Sequence, residues 1–291
     1  MKPVRTAIVG AARALGLLSL LSLTGLTACG TPLIAGECAE GFSFVDGNCI
    51  AACRLGYERR DGYCRLAAGE VVVLGLDFAE AQPGDDAGQI LGNAVFLAEH
   101  QPARVLDFRA LSAWNSSSVS NTVDLIAGEA LDRRRTVTTH VATDEADALH
   151  GLDIARTDVF LFHDASLAAP GQLGELGASW AEALDAFVAQ RGVVVVLAGT
   201  GGTNEMGAFL DASGLLHKAQ LEAATGEALY LADEDDLLAR GLPDRMARTP
   251  LCASFGIDES PDADLVPVVL SEAGKPVVLR RSRPFVGDAG E

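Results

Sequence analysis

Residues 193–206 read VVVVLAGTGGTNEM. Four valines and a leucine make an unbroken apolar run, the pattern of a strand buried on both faces of a parallel sheet. The run ends in Ala198-Gly199-Thr200-Gly201-Gly202, where small residues permit a sharp reversal of the chain. A turn of this kind can serve as a nucleophile elbow, a phosphate cradle or a plain corner. The rest of the chain decides among the three.

Working outward, apolar runs alternate with segments of helical periodicity. EVVVLGLDF (70–78) reads as a first buried strand. Ala87, Ile90, Leu91, Ala94 and Val95 then recur at helical spacing. ARVLDF (103–108), TVTTHVAT (136–143) and TDVFLFHD (157–164) read as further strands, with a helix over 118–131 between the first two. Leu173, Leu176, Trp180, Leu184, Phe187 and Val188 line one face of a long helix that Gly192 ends. Such alternation predicts an α/β domain over 69–281 with a doubly wound, mostly parallel sheet of flavodoxin-like type. GEALYLAD (226–233) and a hairpin around Glu272-Ala273-Gly274 add later strands, and 282–291 reads as a flexible tail.

The amino terminus has a different texture. Lys2 and Arg5 precede a leucine-rich apolar run that ends in Leu26-Thr27-Ala28-Cys29. The segment resembles the signal peptide and lipobox of bacterial lipoproteins. That resemblance implies cleavage after residue 28, acylation of Cys29 and a short lipidated tether over 29–37. Two or three acyl chains anchor a protein stably where one does not. Gly30, where an aspartate would imply retention at the inner membrane, implies by the same resemblance the outer membrane of a Gram-negative bacterium. Loss of residues 1–28 removes Lys2, Arg5 and Arg13 and no acid, which takes the formal net charge from −18 to −21. A surface that acidic disfavours nucleic acid and other polyanions.

Four of the six cysteines cluster as C-x10-C-x3-C-x10-C. CAEGFSFVDGNC (38–49) and CRLGYERRDGYC (53–64) match residue for residue at cysteine, glycine, aromatic, Asp-Gly and cysteine. Asp-Gly favours tight hairpin turns. Residues 38–66 therefore read as a tandem pair of β-hairpins, each closed by its own disulfide, Cys38–Cys49 and Cys53–Cys64. Two other pairings are compatible with the spacing. Units this small have no core of their own, so bridges replace one, and the pair is expected to stand apart from the main domain. The segment resembles short cysteine-rich, EGF-like repeats of secreted proteins. Cys252 reads as a buried small apolar residue.

The strand ends carry the chemistry. In open α/β sheets ligands bind beyond the carboxyl ends of the strands, where Asp77, His163, Asp164, Thr200, Thr203, Asn204 and Glu205 fall. The strand, long helix, Arg-Gly-strand and small-residue turn, with DEDDLLARGLP (233–243) downstream, resemble the class I glutamine amidotransferase-like superfamily. The likeness is strongest to branches without the catalytic cysteine, such as ThuA-like proteins and the trimerisation domain of some β-galactosidases. It covers residues 69–281, although the proline common in the downstream segment is absent. In active members a cysteine occupies the elbow, and a histidine follows the downstream segment. Here Thr200 stands at the elbow, and all five histidines precede that segment. An unactivated threonine hydroxyl is a poor nucleophile. GTGGTN has neither a P-loop lysine nor G-x-G-x-x-G, so no nucleotide cofactor is expected.

Two functions follow. The first is a non-catalytic, envelope-anchored binding or structural module, partnered by the membrane through its lipid and by another envelope protein or a carbohydrate. The second is a hydrolase, or a metal- or carbohydrate-binding protein, that uses Asp77, His163, Asp164 and Thr200, with Glu205 completing a mixed ligand set and Trp114 offering an aromatic face to a sugar. The turn itself is expected to be a tight corner in which Gly201 and Gly202 permit positive φ and close packing.

The anchor is directly testable. Fatty-acid labelling of the wild-type chain should mark the protein and place it in the membrane fraction. Cys29→Ser should abolish the label and release the protein or block its processing. An unlabelled wild-type chain would refute lipidation.

Overall fold

The structure, a computed structural model, describes residues 42–45, 48–53, 57–60, 63–113, 117–199, 205–217, 220–224, 226–247, 252–256 and 265–284. The leader, Cys29, the tether, Cys38, Trp114, Thr200 to Asn204 and the last seven residues lie outside them. No described helix is long and apolar enough to cross a membrane.

The chain forms two units, Met1–Ala52 and Cys53–Glu291. In the first, β1 (Phe42–Val45) and β2 (Asn48–Ala51) pair antiparallel, and Cys49 is disulfide-bonded. In the second, β3 (Tyr57–Arg60) and β4 (Tyr63–Leu66) form a matching hairpin closed by a Cys53–Cys64 disulfide. This second hairpin packs within the α/β unit. Tyr57 and Leu66 are buried in the main hydrophobic core. The Tyr57 hydroxyl donates to the Leu97 carbonyl at 2.8 Å, and Arg191 pairs with Glu58 at 2.7 Å. The hairpin therefore shares the α/β core that its length cannot supply.

After β4 the order is β5 (Ala68–Leu74), α1 (Asp86–Val95), β6 (Ala103–Phe108), α2 (Ser117–Asp132), β7 (Val137–Ala142), α3 (Glu145–Gly151), β8 (Val159–Phe162), α4 (Gln172–Ala189) and β9 (Val193–Leu197). Then come α5 (Met206–Ala212), β10 (Gln220–Ala223), β11 (Leu229–Leu231), β12 (Arg245–Met246), β13 (Ala253–Gly256), β14 (Leu265–Ser271) and β15 (Pro276–Pro284). β10 and β13 form a small antiparallel pair. Nine strands make one sheet in the order β12-β11-β14-β15-β5-β9-β8-β6-β7. β5, β9, β8, β6 and β7 run parallel, and the other four continue the sheet antiparallel from β5.

Helices cover both faces, and the connection directions explain which goes where. The crossovers from β5 to β6 and from β6 to β7 move toward the β7 edge, while those from β7 to β8 and from β8 to β9 move back. With one hand of crossover, opposite directions place helices on opposite faces. Accordingly α1 and α2 pack with Val72, Leu74, Val105 and Leu161, whereas α4 and α5 pack with Val71, Val73, Phe160 and Val196. On the second face Trp180 sits edge-on to Phe108, Phe160, Phe162 and Phe209, at centroid distances of 5.0–6.3 Å. The flavodoxin-like expectation is not met. That order sets the first strand between the second and third, whereas here β5 lies between β9 and β15, separated from β6 by β9 and β8.

Two further details revise the sequence reading. The expected tail begins inside β15: the Ser282 hydroxyl bonds the Glu70 carboxylate at 2.8 Å. DEDDLLARGLP is a structural clamp. Asn93 donates to the Leu238 and Arg240 carbonyls, and Asp236 pairs with Arg280 at 2.8 Å. Cys252 is buried, and its thiol donates to the Ala224 carbonyl.

The opening turn can now be read at its described end. A Cβ on Gly199 would lie 2.0 Å from the Leu76 carbonyl oxygen and 2.5 Å from the Asp77 nitrogen. Backbone, not a flexible side chain, occupies that space. Gly199→Ala should therefore cost ~3 kcal/mol, the upper range for overpacking a rigid site, as a lowered midpoint in chemical denaturation. An unchanged midpoint would mean that the two strand exits separate freely.

Candidate functional site

Adjacent β5 and β9 send their chains to opposite faces, β5 to α1 and β9 to α5. Such a switch point opens a crevice at the carboxyl ends of an α/β sheet. A cleft of about 190 Å³ lies there, bordered by Asp77 and Phe78 after β5, Gly199 after β9, His163 and Asp164 after β8, and Ser118 at the start of α2. Asn121 of α2 fixes one wall by donating to the Phe78 and Ala81 carbonyls at 2.5 and 2.6 Å. Asp77 accepts from the Ala79 amide at 3.1 Å, which orients its carboxylate across the loop.

Three of the residues singled out from sequence thus share the cleft: Asp77, His163 and Asp164. Thr200, Thr203 and Asn204 lie outside the described residues. Glu205 borders a different contact. Its carboxylate accepts from the Gly171 amide at 2.5 Å and ties the entrance of α5 to that of α4. That is a structural role, and Glu205 does not line the cleft. No group of three or more acidic, histidine or cysteine side chains suited to a metal occurs among the described residues.

The sequence reading missed Asp107. Residues Val105 and Asp107 of β6 share a face with Leu161 and His163 beside them, because β6 and β8 run parallel with Asp107 opposite Leu161. The His163 Nε2 lies 3.0 Å from Asp107 Oδ1, and their side chains are only 2% and 1% exposed. The Arg109 guanidinium reaches Asp107 Oδ2 at 3.3 Å. The distances denote close electrostatic contact, yet the two Asp107 oxygens and His163 Nε2 have no aligned hydrogen-bond partner. Contact and alignment therefore disagree. We take the pair as an ion-pair-like contact without a well-directed hydrogen bond, since interaction weakens steeply off the donor axis. A lone carboxylate set between the apolar Leu106 and Phe108 of ARVLDF was the available sequence signal.

The opposite end of the sheet shows what a satisfied buried acid looks like. Asp158 faces His100 at 2.6 Å and receives Arg104 through both side chain and backbone. Burial works to raise its pKa, but the Arg104 hydrogen bonds and the His100 and Arg104 charges prevail and hold it below the ordinary carboxylate value. His163 has no such surroundings. Among the described residues its ring makes no hydrogen bond to a hydroxyl or thiol, and Thr200 lies outside them.

A double-mutant cycle tests the pair. His163→Leu leaves buried Asp107 with Arg109 as its remaining partner and should destabilise the protein by ~3 kcal/mol, the lower end for breaking a buried pair. Asp107→Leu combined with His163→Leu should cost clearly less than the two single changes together. Strict additivity in thermal or urea unfolding would show that the two groups do not interact.

No protein-family model, curated protein or solved structure matches this chain, so its functional reading rests on residues and geometry alone.

Proposed function

We propose that this protein is a lipid-anchored envelope protein whose α/β unit is a non-catalytic binding module, with its ligand site in the cleft at the β5/β9 switch point. The observation that carries the reading is the orientation of His163. Its imidazole turns inward, with Nε2 facing the Asp107 carboxylate at 3.0 Å and the side chain almost wholly buried, so that this nitrogen is directed at a carboxylate and away from solvent. A general base must instead come within hydrogen-bond reach of the proton it removes. The threonine at the elbow, where the resembled amidotransferase-like family carries cysteine, supports the same conclusion. Anchorage rests on the lipobox resemblance around Cys29, and the outer-membrane location on Gly30.

The cleft chemistry narrows the ligand. Asp77 and Asp164 supply acceptors, Ser118 and Ser166 supply hydroxyls, and Leu76, Phe78 and Leu197 supply an apolar floor. Acceptors and hydroxyls above an apolar surface suit a neutral polyhydroxy ligand and repel anions. At about 190 Å³ the space is below the ~300 Å³ that pockets for drug-sized ligands usually begin at, so a single sugar ring is the natural size.

Calorimetry with a panel of neutral mono- and disaccharides should detect binding without turnover. Asp77→Asn and Asp164→Asn should each weaken it about tenfold or more, since a hydrogen bond to a charged group contributes ~1.5–3 kcal/mol. Release of a hydrolysis product, lost on substitution of His163, would establish the hydrolase reading instead. A panel in which nothing binds would reject the carbohydrate assignment.

A further inference from the structure

We propose that β7 is a self-pairing edge, through which two copies of this chain join antiparallel about a two-fold axis at Thr139. The inference is independent of the cleft. β7 ends the nine-stranded sheet, and no described strand lies on its outer side. Thr138, Thr139, His140 and Val141 are all exposed, so neither helical layer covers the strand. Natural edges are usually blunted by lysine, proline or a bulge. VTTHVA has none of these and is rich in β-branched residues, which favour strand pairing. Three large apolar side chains are exposed among the described residues, and two flank this edge: Leu131, 77% exposed at the end of α2, and Val141, 39% exposed on the strand.

The backbone phase fixes which groups are open. The Ala103 amide donates to the Thr136 carbonyl at 2.9 Å. Alternation along a parallel ladder then turns Thr138 and His140 inward to β6 and leaves the amides and carbonyls of Val137, Thr139 and Val141 pointing outward. Antiparallel pairing brings outward-facing residues opposite one another. Centred on Thr139, it sets Thr139 against its own copy and Val137 against Val141 of the second copy.

Charge identifies the occupant as a second copy. Arg133 and Arg134 precede the strand, and Asp144 and Glu145 follow it. Antiparallel pairing about Thr139 brings the amino end of one β7, preceded by Arg133 and Arg134, to the carboxyl end of the other, followed by Asp144 and Glu145, on both sides of the axis. A parallel arrangement would set like charges together. A chain of net charge −18 thus meets its copy along a locally self-complementary edge, where long-range repulsion is least.

Sedimentation equilibrium on the purified full-length chain should show a concentration-dependent dimer, weakened by salt. Thr139→Pro should render it monomeric with an unchanged melting curve, because the amide it removes points outward and serves no bond within the sheet. Thr139→Cys should form a covalent dimer under mild oxidation, since hydrogen-bonded antiparallel partners lie ~5.5 Å apart at Cα, within disulfide reach. Glu272→Cys, at the β14–β15 turn, serves as the control. A chain monomeric at all concentrations overturns the proposal. So does cross-linking at 139 no greater than at 272, or a dimer that Thr139→Pro leaves intact.

Discussion

β5 is held on all four sides, and the rest of the structure is arranged around that fact. It pairs parallel with β9 and antiparallel with β15, and α1 and α4 close its two faces. Every group it carries must therefore be apolar or satisfied within the protein. Val71 to Leu74 meet the first condition and Glu70 the second. Arg280 and Ser282, both on β15, bond the Glu70 carboxylate, and Asp236 completes the Arg280 contacts. Burial still raises the Glu70 pKa, with Arg280 and Ser282 opposing the rise. One acidic residue in a buried strand thus specifies which strand must lie beside it, and so joins the parallel and antiparallel halves of the sheet in one register.

The same constraint explains the crevice. Because β5 borders β9, the first and last parallel strands deliver their chains to opposite faces side by side. Their exits nearly touch: Gly199 passes against the Leu76 backbone without room for a methyl group. The site then widens toward β8 and α2, where Asp77, His163 and Asp164 gather. The glycine-rich turn is at this end a packing requirement, which is how small residues at 198 and 199 are best explained.

Much of this was legible in the sequence because buried strands and amphipathic helices leave periodic signatures. The parallel strands, the long helix bearing Trp180 and the hairpin turn at Glu272 to Gly274 fall where their patterns place them. Strand order was not legible. Nothing local to VVVVL specifies whether β5, β8 or β6 lies beside it, since an apolar strand accepts any apolar neighbour; Glu70, Arg280 and the crossover directions bear on the pairing. The packing of the second cysteine repeat was not legible for a similar reason. It matches the first in sequence, but Tyr57 and Leu66 gain a core only through contacts with residues distant in the chain. At the site, Asp77, His163 and Asp164 were found by position at strand ends. Asp107 was not, because it lies within its strand and its relation to His163 arises only from the β6–β8 register.

The contrast among the buried acids bears on what the cleft is for. Glu70 and Asp158 are enclosed by directed donors, the arrangement expected where burial of a charge serves only the fold. Asp107 and His163 are as deeply buried and carry no aligned partner at three polar atoms. A half-satisfied polar pair costs stability that an apolar pair would not, since each buried unpaired group keeps its desolvation penalty. Two such residues beside the switch-point crevice are not explained by packing, as Val or Leu would fill strand positions at no electrostatic cost. They place a polar His163–Asp107 contact at 3.0 Å in the wall of the cleft, where Val or Leu would leave it apolar.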